Sequence, residues 1–248
     1  KSDASTICFW KLDSTGRILD SGQQDLQSPV IPYSILVDKF GMTIAGTIYA
    51  NPGNRAFVIN WGDKANYYGK STTQINSITR NIDGSIVAVG QSGDKLLDKP
   101  LRGKSDGFLA KIAANGKLVS VQRSSDLKSD RGWRTSNTLL TLGGFANTTA
   151  VITRFNSTFA PIWTDRYPSN GTALTTFSGK SSFGAFVSTG AVKALPTWKR
   201  KGAILLLALD AKGAITAANF VNSTSLNAIT STVTLGPVVL AGGVLYRV

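Results

Sequence analysis

Asp83-Gly-Ser-Ile-Val-Ala-Val-Gly90, followed by Asp106-Gly-Phe-Leu-Ala-Lys-Ile-Ala-Ala-Asn-Gly-Lys-Leu-Val119, is the stretch whose reading decides the fold. Its first part is an Asp-Gly turn and an apolar strand that ends in glycine. Its second is an apolar strand, an Asn-Gly turn and a further strand. Asp or Asn supplies a local hydrogen bond in such turns, and glycine supplies the positive φ. The stretch therefore predicts two consecutive hairpins, four antiparallel strands in about fifty residues.

Both hairpins recur along the chain. The strand-turn-strand segment appears as Ile7–Leu19, Ala56–Tyr68, Gly107–Val119, more loosely as Ala150–Phe155 with Ile162 and Trp163, and as Ala203–Ile215. The glycine-ended hairpin closes on Ile44-Ala45-Gly46, Ala88-Val89-Gly90, Thr141-Leu142-Gly143, Ser188-Thr189-Gly190 and Leu240-Ala241-Gly242. The two alternate at a spacing of roughly 44 to 53 residues, the size of one four-stranded propeller blade. The absence of Glu and the abundance of Thr, Ser, Val and Gly agree with strands and turns throughout.

The phase of the repeat predicts a ring. With the strands of one unit named A to D, the chain opens on C and D, about Thr6 to Gln24. It finishes on A and B, about Leu226 to Tyr246. The two halves make one unit, so the reading is an all-β, five-bladed β-propeller in a single domain over residues 1–248. Its blades are placed at about 30–70, 74–124, 131–168, 171–222, and 225–248 joined with 5–25. Closure would set Thr6–Leu12 beside Val238–Tyr246. A pair of β-sandwiches and a piece of a larger ring are the competing readings.

The quoted stretches resemble the β-propeller repeats of exported bacterial surface proteins, which read as an aromatic strand, an Asp/Asn-Gly turn, a strand and an Asp-Gly hairpin ending in glycine. Repeats two and four lack the clean Asn-Gly turn. The resemblance implies a propeller in an extracellular or cell-surface setting and implies no activity, because fold does not give function.

The formal charge is +13. Strands alternate in direction, so B–C and D–A loops share one face of the expected ring and A–B and C–D turns share the other. The B–C loops carry Lys95, Lys99, Arg102 and Lys104, and Lys193, Lys199, Arg200 and Lys201 beside Trp198; a D–A loop carries Arg123, Lys128 and Arg131. Trp198-Lys199-Arg200-Lys201 is the sharpest local feature, since an aromatic ring beside three cations can stack and pair with anions. Tyr33, Asn76, Trp133, Arg134, Thr172 and Asn227, at the starts of A strands, are placed at the mouth of the central channel. The candidate ligand-binding residues are thus Trp198, Lys199, Arg200, Lys201, Tyr33, Trp133 and Arg134.

Several chemistries are argued against. Without His, a Ser-His-Asp or Cys-His site cannot exist within the chain. With one cysteine, Cys8, read as a buried free thiol, no internal disulfide forms and a zinc site has too few ligands. No metal-loop or phosphate-loop motif is present, and nothing calls for a cofactor. No apolar run reaches the length of a membrane helix, and no DNA or RNA motif appears. Asn147, Asn156, Asn170 and Asn222 begin glycosylation acceptor patterns of the kind a Ser/Thr/Asn-rich chain contains by chance. The functional expectation is a non-catalytic binding or scaffold module for an anionic polymer or partner. The alternative is a carbohydrate-active propeller, either a lectin or a hydrolase using Asp residues, of which Asp20, Asp25, Asp106 and Asp165 are the candidates.

Overall fold

The computed structural model describes residues 5–123, 133–135, 141–146, 149–169, 173–178, 181–192, 195, 203–221, 226–235 and 238–246. For 133–135, 141–142, 145–146, 177–178, 226–228, 230–231, 233–235 and 238–246 the description is of the backbone. Four sheets hold four consecutive antiparallel strands each. The first is β3 (Val30–Asp38), β4 (Gly41–Ala50), β5 (Gly53–Asn60) and β6 (Asn66–Tyr68). The second is β7 (Thr73–Arg80), β8 (Ile86–Ser92), β9 (Asp106–Ile112) and β10 (Leu118–Arg123). The third is β11 (Trp133–Thr135), β12 (Thr141–Ala146), β13 (Thr149–Phe155) and β14 (Pro161–Pro168). The fourth is β15 (Leu174–Ser178), β16 (Ser181–Val187), β17 (Ile204–Leu209) and β18 (Ile215–Val221). Two hairpins flank them: β1 (Thr6–Leu12) with β2 (Ile18–Asp25), and β19 (Leu226–Leu235) with β20 (Val238–Tyr246). No helix long and apolar enough to cross a membrane occurs among the described residues.

The sheets stack face to face, which explains why the middle strands are apolar on both faces. Sheets one and two share a core of Val58, Tyr68, Ile75, Ile78, Phe108 and Ile112. Val87, Val89 and Leu109 meet Phe155 of the third sheet. Ile152 and Tyr167 of the third meet Phe186, Leu205 and Leu207 of the fourth, with the Tyr167 and Phe186 rings stacked at 5.0 Å. Each such side chain contributes about 2 kcal/mol by leaving water. The first strands pack in succession, β3 on β7, β7 on β11, β11 on β15 and β15 on β19. They form the inner layer of a propeller-like arrangement.

One turn joins the third and fourth strands repeatedly. In Asp13–Arg17, Ala113–Lys117, Asn156–Ala160 and Asp210–Ala214 the first residue's N–H donates to the fifth carbonyl. The fourth residue's N–H donates back to the first carbonyl. That fourth residue has positive φ: Gly16 at 87°, Gly116 at 81°, Gly213 at 87° and, in the third sheet, Phe159 at 64°. The fourth repeat of the sequence therefore keeps the turn although Phe replaces the glycine. Phe159 packs on the Val87, Val89, Leu109 and Phe155 cluster, and this burial offsets the left-handed strain of about 1 kcal/mol or more.

These turns also tie neighbouring units together. The Tyr68 hydroxyl of β6 donates to the Gly116 carbonyl at 2.8 Å, and Trp163 Nε1 of β14 donates to the Ala211 carbonyl at 3.0 Å. Gln24 Nε2 of β2 donates to the Asp63 carbonyl at 2.8 Å. The β1–β2 hairpin is thus seated on sheet one as an outer strand pair is seated on its neighbour elsewhere.

Three expectations are corrected. First, four complete blades form among the described residues rather than five. No ladder among the described residues joins β1 to β20, so the expected closure of Thr6–Leu12 against Val238–Tyr246 is not formed. Each hairpin is held by its own neighbour instead: β1 by packing of Ile7 with Ile44, Ile48, Phe57 and Ile59, and β19 by β15 and β16. Second, Cys8 is exposed rather than buried. Strand alternation turns Ile7 and Phe9 toward sheet one, where Phe9 meets the Trp61 ring edge-on at 4.7 Å, and turns Cys8 the other way. Third, Ser188-Thr189-Gly190 lies past the end of β16; the residue facing the neighbouring strand where Gly90 faces Phe108 is Phe186, opposite Leu205. A large ring is accepted there because it stacks on Tyr167.

Candidate functional site

The site is built where B–C and D–A loops meet, beside the starts of the inner strands. That these loops share a face is visible at Asp94, in the loop after β8. Its carboxylate accepts from the N–H groups of Lys70, Ser71 and Thr72 and from the Ser71 and Thr73 hydroxyls, all in or next to the loop before β7, at 2.7 to 3.0 Å. Burial acts to raise the Asp94 pKa, but these donors outweigh it and hold the carboxyl well below the usual range. Gly69, at φ 79°, packs so closely on Thr73 and Asp94 that a side chain would displace them.

Arg123, at the end of β10, completes the anchor from below. Its guanidinium donates to the Ser92 carbonyl at 3.1 Å and to the Asp94 carbonyl. Burial lowers its pKa, and the charges of Asp106 and Asp94 oppose that. Asp106 is 1% exposed; its Oδ2 accepts from the Arg102 N–H at 2.7 Å. The sequence places Arg123 among surface cations of this face, and the structure corrects this: it is a buried cation inside the loop anchor.

The consequence is a sorting of charge. Asp94 and Asp106 of the 93–106 loop are turned inward, whereas Lys95, Lys99, Arg102 and Lys104 are exposed. The remaining acid, Asp98, pairs with Lys95 at 3.0 Å between two exposed side chains, a contact of little energetic weight. On the opposite face two acids are held by ion pairs and two by their own turns. Asp38 binds Arg80 at 2.8 Å and Asp83 binds Lys111 at 3.1 Å, while Asp13 and Asp210 cap their own turns.

The inner strands carry a second feature. Ladder pairing skips one residue in β3, β7 and β19, between Pro32 and Ser34, Ile75 and Ser77, and Ile229 and Ser231. Tyr33, Asn76 and Thr230 are the extra residues of these β-bulges. Bulges re-aim a side chain and recur beside functional sites. They lie opposite Gly46, Gly90 and Gly243. A Cβ at Gly46 or Gly90 would run into the carbonyl of Ile31 or Gln74, so glycine is required for the close approach. Tyr33 is exposed, and Asn76 accepts from Gln74 Nε2 at 2.6 Å.

The other sequence-derived residues distribute as follows. Trp198, Lys199, Arg200 and Lys201 lie outside the described residues, as do Lys128, Arg131, Thr172 and Lys193. Trp133 and Arg134 pair with Gly144 and Gly143, and Asn227 with Leu245. Tyr33, Asn76 and Trp133 thus come from the successive inner strands β3, β7 and β11. The four Asp residues considered for hydrolysis are not brought together: Asp20 and Asp25 lie on β2, Asp165 on β14, both outer strands, and Asp106 is buried under its loop. Burial raises the Asp165 pKa, partly offset by a hydrogen bond from Tyr167. No cluster of three or more metal-ligating side chains occurs among the described residues.

No family model and no curated protein matches this chain. Among solved structures it is similar to a protein of unknown function from Bacteroides caccae, crystallised at 1.35 Å resolution. The likeness has 11% identity over 83% of this chain and 86% of that one, with a TM-score of 0.31.

Proposed function

We propose that residues 1–248 act as one β-propeller domain, a non-catalytic binding or scaffold module of an exported or cell-surface protein, which meets an anionic polymer or partner through its basic loop face. The observation that carries this reading is the 93–106 loop, in which two acids are spent on anchoring and four cations are presented to solvent. A pre-ordered cationic loop binds polyanions without first losing chain entropy. Tyr33, Trp133 and Arg134 at the inner strands, with Trp198, Lys199, Arg200 and Lys201, which the repeat pattern of the sequence assigns to a second B–C connection, are the proposed contact set.

The test is titration with polyphosphate and with dextran sulfate at several salt concentrations. If four cations each displace one counterion, affinity falls about 50-fold between 50 and 200 mM salt. Replacing Lys95, Lys99, Arg102 and Lys104 by Ser flattens that dependence, and replacing Lys199, Arg200 and Lys201 by Ser weakens binding further. Binding that is indifferent to salt and to both sets of substitutions sinks the reading. Glycan binding that persists in high salt would instead favour a lectin.

A further inference from the structure

The two terminal hairpins leave an apolar seam. Every complete sheet joins its second strand to its third, as β8 to β9 and β16 to β17. By repeat position β20 is a second strand and β1 a third strand, and among the described residues each has one ladder partner where its counterparts have two. The side chains that a neighbour covers elsewhere are open here. On β1, Trp10 is 62% and Leu12 54% exposed, whereas the residues at their positions on β9, Ala110 and Ile112, are 1% exposed. On the inner strand β3, Ile35 and Val37 are 57% and 71% exposed. A cavity of ≈ 340 Å³ is lined by Phe183, Leu206, Ala208 and Asn219 of the fourth sheet and by Thr232 of β19, among others.

We propose that this seam is an interface with a second copy of the chain, in which β1 of each copy pairs with β20 of the other. The occupant follows from the repeat. The edge that β20 presents is met in every complete sheet by a strand of the β1 type, and the reverse holds for β1. One chain carries both halves, and each is tied to its own neighbouring sheet, β1–β2 through Gln24 and Ile7 and β19–β20 through β15 and β16. Reciprocal exchange between two copies satisfies both edges of both chains in a closed pair, which a heterologous one-sided contact would not. It also removes two free strand edges, one of them beside the exposed Trp10 and Leu12, an arrangement that otherwise invites uncontrolled aggregation.

The register is defined. Gly243 takes the place of Gly90 at the bulge, and Cys8 takes the place of Phe108 at the turn, so Leu240 falls opposite Lys11 as Val87 falls opposite Lys111. In a Cys8→Ser background, chains carrying Lys11→Cys alone are refolded together with chains carrying Leu240→Cys alone and then oxidised. A disulfide-linked product of two chains is expected, together with a dimer by sedimentation of the unmodified protein. A Trp10→Asp variant is expected to keep its strand-type circular dichroism while sedimenting as a monomer. The proposal is overturned if the unmodified protein sediments as a monomer at all concentrations, or if a chain carrying both cysteines locks within itself at the mass of one chain.

Discussion

The second sheet and the β1–β2 hairpin are built from nearly the same sequence pattern and end in different physical situations. Asp106–Val119 and Thr6–Leu19 align residue for residue, with the same five-residue turn and the same ladder irregularity after it. Yet β9 is buried along almost its whole length, with sheets on both sides and a ladder on both edges, whereas β1 buries Ile7 and leaves Cys8, Trp10 and Leu12 open. Local pattern specifies the strand, the turn and the face. How much of that face leaves water is set by the number of neighbours, which pattern does not encode.

The largest effect that sharpens this contrast comes from the core. Ile112→Ala in the second sheet is expected to cost about 4 kcal/mol, because the cavity left between two sheets cannot collapse, whereas Ile18→Ala on the exposed β2 costs less than about 0.5 kcal/mol. Urea midpoints of the two variants measure this, and equal losses would break the comparison. Asp94→Ala is expected to cost about 3 kcal/mol, since it strips the acceptor from three loop N–H groups and removes one of the two carboxylate charges, with Asp106, that offset the burial of Arg123. Gly90→Ala follows at about 2 kcal/mol, because the new methyl meets the rigid Gln74 backbone. Gly22→Ala in the hairpin meets the movable Phe9 ring and costs under about 1 kcal/mol.

A smaller effect concerns acid. Asp83 is held at about 2 by its bonds to Ser85 and Lys111, and Asp94 lies well below the usual range. Both folded values are depressed, so the stability they contribute is complete above the unfolded carboxylate value near about 4 and is lost as pH falls through the folded values. Asp165 is shifted the other way and works weakly against this. Unfolding midpoints between about pH 5 and 2 should therefore decline for the unaltered protein and decline less steeply for Asp94→Asn. Equal slopes would show that Asp94 is not the anchored carboxylate described.

Much of this was legible beforehand. The four-strand unit, the turn glycines and the sharing of one face by two kinds of loop follow from residue spacing, because hydrogen-bonded turns demand particular residues. The bulges at Tyr33 and Asn76 sit where inner-strand starts were expected, although nothing in their residue types announces an extra residue. Phe159 hid a turn because its cost is met by packing that only three dimensions supply. Asp94, Asp106 and Arg123 read as surface charges of a polar loop; Asp94 is anchored by the Lys70–Thr73 loop, Asp106 by the Arg102 N–H, and Arg123 by the Ser92 and Asp94 carbonyls, partners that only the folded chain supplies. Closure read from repeat phase did not form, since phase shows which edges are complementary and not whether they meet.

Amide hydrogen exchange, on protein diluted until it sediments as a monomer, compares the two regions most directly. Val87–Val89 and Phe108–Ala110, flanked by sheets on both sides, are expected to exchange only through global unfolding. Cys8–Leu12 are expected to exchange far faster, through local opening of a hairpin held on one face. Exchange from Cys8–Leu12 as slow as from the second sheet would contradict the account.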